Sequence, residues 1–204
     1  MHTITRDGEH ELVVDKSRFV CALARADDEA GVREFIARRR KRHWNATHNC
    51  TAYVLGADGE TQRCSDDGEP SGTAGTPMLE VLKRRGVADV VAVVSRYFGG
   101  VKLGAGGLVR AYGSAVAQAL DAVGLAERRL LQIVTVTIDY QTGGGLEAEL
   151  RRGRGEVVDV RYGAGICLEV AVDDADDFAS WVSGQTAGAA TCEVTGTRIV
   201  VAPI

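Results

Sequence analysis

Val90-Val91-Ala92-Val93-Val94-Ser95-Arg96-Tyr97-Phe98-Gly99-Gly100-Val101-Lys102-Leu103-Gly104-Ala105-Gly106-Gly107-Leu108-Val109-Arg110 is the segment around which the chain organises itself. Val90 to Val94 is short, apolar and β-branched, which suits a buried strand. Leu108, Tyr112, Ala115, Val116, Ala119, Leu120 and Val123 then recur at helical spacing. Between strand and helix, five glycines fall within nine residues, with Lys102 in the middle and Arg96 and Arg110 at the ends. Glycine permits positive φ and close backbone approach. A glycine-rich turn into a helix N-terminus aims unpaired N–H groups at one spot, where the helix dipole adds positive charge. That is the physics of an anion site, with Arg96, Gly99, Gly100, Lys102, Gly104, Gly106, Gly107 and Arg110 as its candidates. The competing reading is that the glycines serve tight packing of helix on sheet.

The loop carries no cofactor signature. Gly99 to Gly104 has Walker A spacing, but Ala105-Gly106 stands where Lys-Ser/Thr is required. Gly104 to Val109 lacks the third glycine of a dinucleotide fingerprint. No cofactor and no metal is therefore expected.

The 204 residues allow one large domain or two small ones. No apolar run is long enough for a membrane span, and the N-terminus lacks a signal-peptide core. Five cysteines without a Cys-x-x-Cys pair suit reduced thiols in a cytoplasm. Net charge is −4 but unevenly spread. Residues 1–129 hold 19 Lys and Arg against 17 Asp and Glu, whereas residues 130–204 hold 5 against 11. An RNA partner is expected on the first part only.

In chain order, residues 10–24 read as two strands around Asp15-Lys16-Ser17-Arg18. Asp27 is a candidate N-cap for a helix whose apolar stripe is Val32, Phe35 and Ile36. That helix ends in Arg38-Arg39-Arg40-Lys41-Arg42, either a solvated, dipole-matched end or a phosphate-tracking patch. A strand follows His48 and Asn49, and Ala57-Asp58-Gly59-Glu60 contains a hairpin-type turn. Ser65 to Pro77 reads as loop, and its carboxylates Asp66, Asp67 and Glu69 repel one another unless a cation compensates them. Met78 begins a short helix that Gly86 ends.

His48-Asn49-Cys50-x-Ala52-Tyr53, Ser65 to Gly75 and Arg96 to Tyr112 together resemble the Impact/YigZ family over roughly residues 15–125. The resemblance implies two α+β domains. Residues 1–126 would be an Impact-type domain like the second domain of ribosomal protein S5. Residues 130–204 would be a ferredoxin-like domain of the elongation factor G kind. Eukaryotic Impact proteins regulate translation through a protein–protein contact, and a translation or RNA-associated role is implied for bacterial members. The chain departs from the family pattern at Asn45, Cys64 and Thr76.

Beyond Gly124 the residues alone give Ala126 to Arg129 as a linker, then strand, helix, two strands, helix and strand. This βαββαβ order is itself ferredoxin-like.

His48 and Cys50 lie two apart, hence on one face of a strand. A Cys–His nucleophile needs an orienting group, and a zinc site from His43, His48, Cys50 and Cys64 matches no common finger spacing. The expectation is a non-catalytic binding protein of translation or its regulation, contacting RNA or phosphate, or a ribosome-associated protein, through the glycine loop. His48 and Asn49 would support the site. The alternative is an enzyme acting on a phosphorylated small molecule or nucleotide, by analogy with sugar and mevalonate kinases. No membrane partner is expected, and the oligomeric state is left open.

Overall fold

The computed structural model describes residues 1–203. Ten strands and five α-helices run along these residues, and the fold is α+β. It divides into two compact units, one built on Met1–Arg128 and the other on Arg129–Val200.

The first unit begins with β1 (His2–Ile4), β2 (Gly8–Val14) and β3 (Ser17–Arg25). The β2–β3 turn is only Asp15 and Lys16, at φ 44° and 66°. Two central residues with positive φ make the tight turn that matches strand twist. Helix α1 (Glu29–Arg42) follows, capped by Asp28 rather than the expected Asp27. The Asp28 carboxylate accepts from Gly31 N–H at 2.7 Å. Next come β4 (His48–Leu55), β5 (Thr61–Ser65), α2 (Gly75–Arg84), β6 (Val90–Tyr97) and α3 (Gly104–Val123).

The sheet order is β2-β3-β6-β4-β5, antiparallel throughout. β6 is central, and both its faces are covered. On one side Val90, Ala92 and Val94 pack with Phe19, Met78, Leu108 and Tyr112, under α2 and α3. On the other, Val91 and Val93 pack with Val32 and Phe35 of α1. A strand buried on both faces has no polar side to show, which is why Val90–Val94 reads as an unbroken apolar run.

Residues 126–129, expected as a linker, are instead strand. They lie in β7 (Leu125–Ile138), whose first residues pair with β1. Arg128 lies with its side chain 6% exposed, 2.5 Å from the Asp89 carboxylate. It also donates to the Gly56 carbonyl at 3.1 Å. Charges absorbed by ion pairing mask the strand from any reading by hydropathy.

In the second unit, the later part of β7 leads to α4 (Tyr140–Glu149), a π-helical turn at Leu150–Arg154, β8 (Glu156–Tyr162) and β9 (Ile166–Val172). Helix α5 (Ala175–Thr186), capped by Asp174, precedes β10 (Thr191–Pro203). The sheet runs β10-β7-β9-β8, so first and third strands lie side by side and the connection order is βαββαβ. Val134, Val136, Ile138, Leu146, Phe178 and Val182 form its core.

Candidate functional site

The acidic loop between β5 and α2 is pinned by its own carboxylates. Helix α2 begins at Gly75 with no capping side chain from Ala74. Asp66 supplies the cap from outside, accepting from the N–H groups of Gly72 at 2.9 Å, Ala74 at 3.0 Å and Gly75 at 2.8 Å. Partial burial works against its charge, yet the three amides hold its carboxyl below the ordinary carboxylate range. Asp67, at φ 46°, accepts from the Asn49 N–H at 2.6 Å and pairs with Arg40 at 3.0 Å.

Glu69 turns inward. It is 8% exposed and accepts from Arg96 at 2.6 Å and from the Tyr112 hydroxyl at 2.8 Å. Arg96 is equally buried, stacked 5.4 Å from the Phe19 ring centroid and 5.7 Å from that of Phe98. Its Nε has no partner among the described residues. The sequence suggested Arg96 both as a cation offered to a ligand and as one that compensates the acidic loop; its charge is placed on Glu69.

His48 donates from Nδ1 to the Asp67 carbonyl at 2.7 Å, because a carbonyl can only accept. That leaves Nε2 facing Glu69 Oε2 at 4.0 Å. Asn49 is buried, and its amide oxygen accepts from Ser95 at 2.7 Å. Both residues are thus scaffold for the loop.

The glycine loop does several separate things. A Cβ at Gly99 would lie 2.1 Å from the Lys16 backbone, so this position is set by packing against the β2–β3 turn. Gly99 N–H also donates to Ser17 at 3.2 Å. Gly100 and Gly104 sit at φ 85° and 68°, where other residues are strained. A Cβ at Gly107 would press on Leu103 at 2.9 Å, whereas Gly106 has room. Helix α3 starts at Gly104 with no side-chain cap.

A cleft of about 300 Å³ opens between the two loops. Phe98, Leu103, Ala105, Leu108 and Pro70 give it carbon walls, while His48, Glu69, Arg96 and Lys102 supply its polar groups. Lys102 has no ion pair among the described residues. Arg110 is not brought in. It lines a neighbouring cleft with Gly107, Leu12 and Gln118, and the two clefts share Leu103.

The basic end of α1 is neither plainly solvated nor a bare patch. Arg39 is 6% exposed and pairs with Glu9 at 2.8 Å, and Arg42 reaches the same carboxylate at 3.4 Å. Arg40 reaches Asp67. His43 accepts from Arg39 at 2.7 Å and contacts the Tyr97 hydroxyl at 2.7 Å. Burial, then the charges of Arg39 and Arg42, push His43 below the usual histidine range.

Cys50 Sγ lies 3.0 Å from the Asp66 carbonyl and 3.3 Å from Tyr112 OH. Burial pushes its thiol up to about 12, so it is no ready nucleophile. Among the described residues no three His, Cys, Asp or Glu side chains converge on a metal position.

Tyr112 was legible only as an apolar core position. Its hydroxyl, in a stripe otherwise of Ala, Val and Leu, was the available signal, since a buried Tyr needs a partner for it. Trp44 escaped the sequence reading altogether.

The fold and the site define a two-unit α+β protein whose cleft lies between a glycine loop and an acidic loop held by a buried Arg–Glu pair. Residues 15–120 match the Impact N-terminal domain, and the chain belongs to the Impact family. It is 48% identical to the IMPACT family member YvyE of Bacillus subtilis, over 91% of this chain and 87% of that one. It is 42% identical to the IMPACT family member YigZ of Escherichia coli, over 78% and 79%. A crystal structure of a hypothetical protein shares the fold at TM-score 0.65 and 35% identity, covering 95% of this chain and 96% of that one. No helix among the described residues is long and apolar enough to cross a membrane.

Proposed function

We propose that this chain is a non-catalytic binding protein of translation or its regulation, and that the cleft between its two loops takes a phosphate group of RNA. The observation that carries the reading is Lys102, a cation on the cleft wall with no carboxylate partner among the described residues. One further feature supports it: the first turn of α3, which has no side-chain cap, borders the same cleft. The link to translation comes from the family, whose eukaryotic members regulate that process. Five free thiols suit a reducing compartment, hence a cytoplasmic setting.

The test is RNA affinity as a function of salt. A single-strand phosphate contact contributes about 0.7 to the slope of log K against log salt. Lys102→Ala should flatten the slope by about that amount while leaving the folded state intact. An unchanged slope would sink the phosphate contact.

A further inference from the structure

Trp44 is 81% exposed and Phe98 is 49% exposed. Tryptophan is on average well buried, because leaving its large ring in water forgoes much apolar burial. Trp44 is also not on a loose tip. It sits in the short turn after α1, where Ala46 N–H donates to the His43 carbonyl at 3.0 Å and Thr47 N–H to that of Arg96 at 2.8 Å. His43 meets the Tyr97 hydroxyl, and Phe98 N–H donates to the Thr47 hydroxyl at 3.2 Å. The turn that displays Trp44 is therefore stitched to the residues that display Phe98.

Charge in this neighbourhood is sorted. Arg39 and Arg42 share the single carboxylate of Glu9, Arg40 pairs with Asp67 and Arg96 with Glu69. Four cations have no ion pair among the described residues: Lys41, one turn before Trp44; Lys16, whose backbone abuts Gly99; Lys102, just before α3; and Arg110, within α3 on the neighbouring cleft. Exposed π-faces among unpaired cations are the chemistry that holds single-stranded nucleic acid, with bases on rings and phosphates on cations. A duplex hides its base faces. A phosphorylated peptide would use the cations but has no series of flat rings to match.

We infer that the ligand of this surface is an unpaired stretch of RNA, with bases stacked on Trp44 and Phe98 and the intervening phosphates on Lys102 and Lys41. This rests on the phosphate-binding reading above and adds the nature of the ligand to it. The Arg96 guanidinium already lies over the Phe98 ring, 5.7 Å from its centroid, so a base on the opposite face would complete a sandwich.

The chain has two tryptophans, Trp44 and Trp181. In a Trp181→Phe background the indole emission reports Trp44 alone. That protein is titrated with oligouridylate, with duplex RNA and with inorganic polyphosphate. Oligouridylate should quench the emission and the other two should not. Trp44→Ala, at a position too exposed to endanger folding, should weaken oligouridylate binding about 5- to 150-fold, the value of one stacked base. Trp44→Phe should recover most of the loss. If oligouridylate binds with unchanged emission and polyphosphate displaces it, stacking is overturned while the phosphate reading survives. If neither binds, both fall. Should only a protein partner be retained after nuclease treatment, and be lost with Trp44→Ala, the surface is a protein-docking site and the inference is wrong.

Discussion

Between Ser65 and Gly75 each carboxylate ends on a fixed partner: Asp66 on the amides of Gly72, Ala74 and Gly75, Asp67 on Arg40 and Asn49, Glu69 on Arg96 and Tyr112. Between Phe98 and Leu103 the single charged side chain, Lys102, ends on none among the described residues. Both loops were equally conspicuous in the sequence as polar, glycine-rich insertions. The difference separates two uses of charge. The acidic loop spends its charge on shaping the cleft, and the glycine loop keeps its cation in the opening. Substitutions in the first should register as stability, and substitutions in the second as binding.

The strongest way to break that contrast is Arg96→Met. Glu69 would keep the Tyr112 hydroxyl and the more distant His48 Nε2 while staying 8% exposed, and a buried charge stripped of its ion-pair partner typically costs about 3–5 kcal/mol. Urea unfolding should show a loss of that size. A loss below about 1 kcal/mol would mean that water reaches Glu69, and that the acidic loop is less of a scaffold than its geometry indicates.

The glycine loop contains its own internal contrast. Gly99→Ala drives a Cβ to 2.1 Å from backbone that cannot step aside alone, an overpacking cost of about 1–3 kcal/mol. Gly100→Ala meets open space and suffers only its φ of 85°, about 1–2 kcal/mol. Thermal or urea unfolding should rank Gly99→Ala as the more damaging. The reverse order would show that the β2–β3 turn yields easily, and that Gly99 is kept for ligand approach instead.

What the sequence made legible follows from periodicity. The α3 stripe from Leu108 to Val123 is buried throughout, and β6 lies where its apolar run put it. Both are single-element patterns with one strong period. The second unit was legible for the same reason, with β9 at Ile166–Val172 as read. The misses share another cause. β1 is three residues long, and the first part of β7 carries Glu127, Arg128 and Arg129, so neither has a hydrophobic signature. Within the site, the loops could be found but their wiring could not. That Arg96 chooses Glu69, and that Asp66 caps a helix eight or nine residues on, depend on which way each loop turns. Trp44 belongs to no period or motif in the sequence, and only its exposure singles it out.

The smallest effect sharpens the contrast through pH. The folded Asp66 carboxyl sits below its unfolded value of 3.8, so in that region the unfolded chain binds more protons than the folded one. The stabilisation from the cap is thus fully present above 3.8 and drains away as pH falls through the lower folded value. Asp66→Asn keeps one oxygen for the Ala74 and Gly75 amides but gives up the acceptor for Gly72 and the charge facing the helix N-terminus. At pH 7 it should cost about 1 kcal/mol, the usual scale of an N-cap. Measured by urea midpoint, the gap between wild type and variant should shrink steadily below 3.8. A gap that stays constant to strong acid would mean that the amides grip the Asp66 oxygens without favouring their charge. The electrostatic half of the acidic loop's scaffolding would then rest on Asp67 and Glu69 alone.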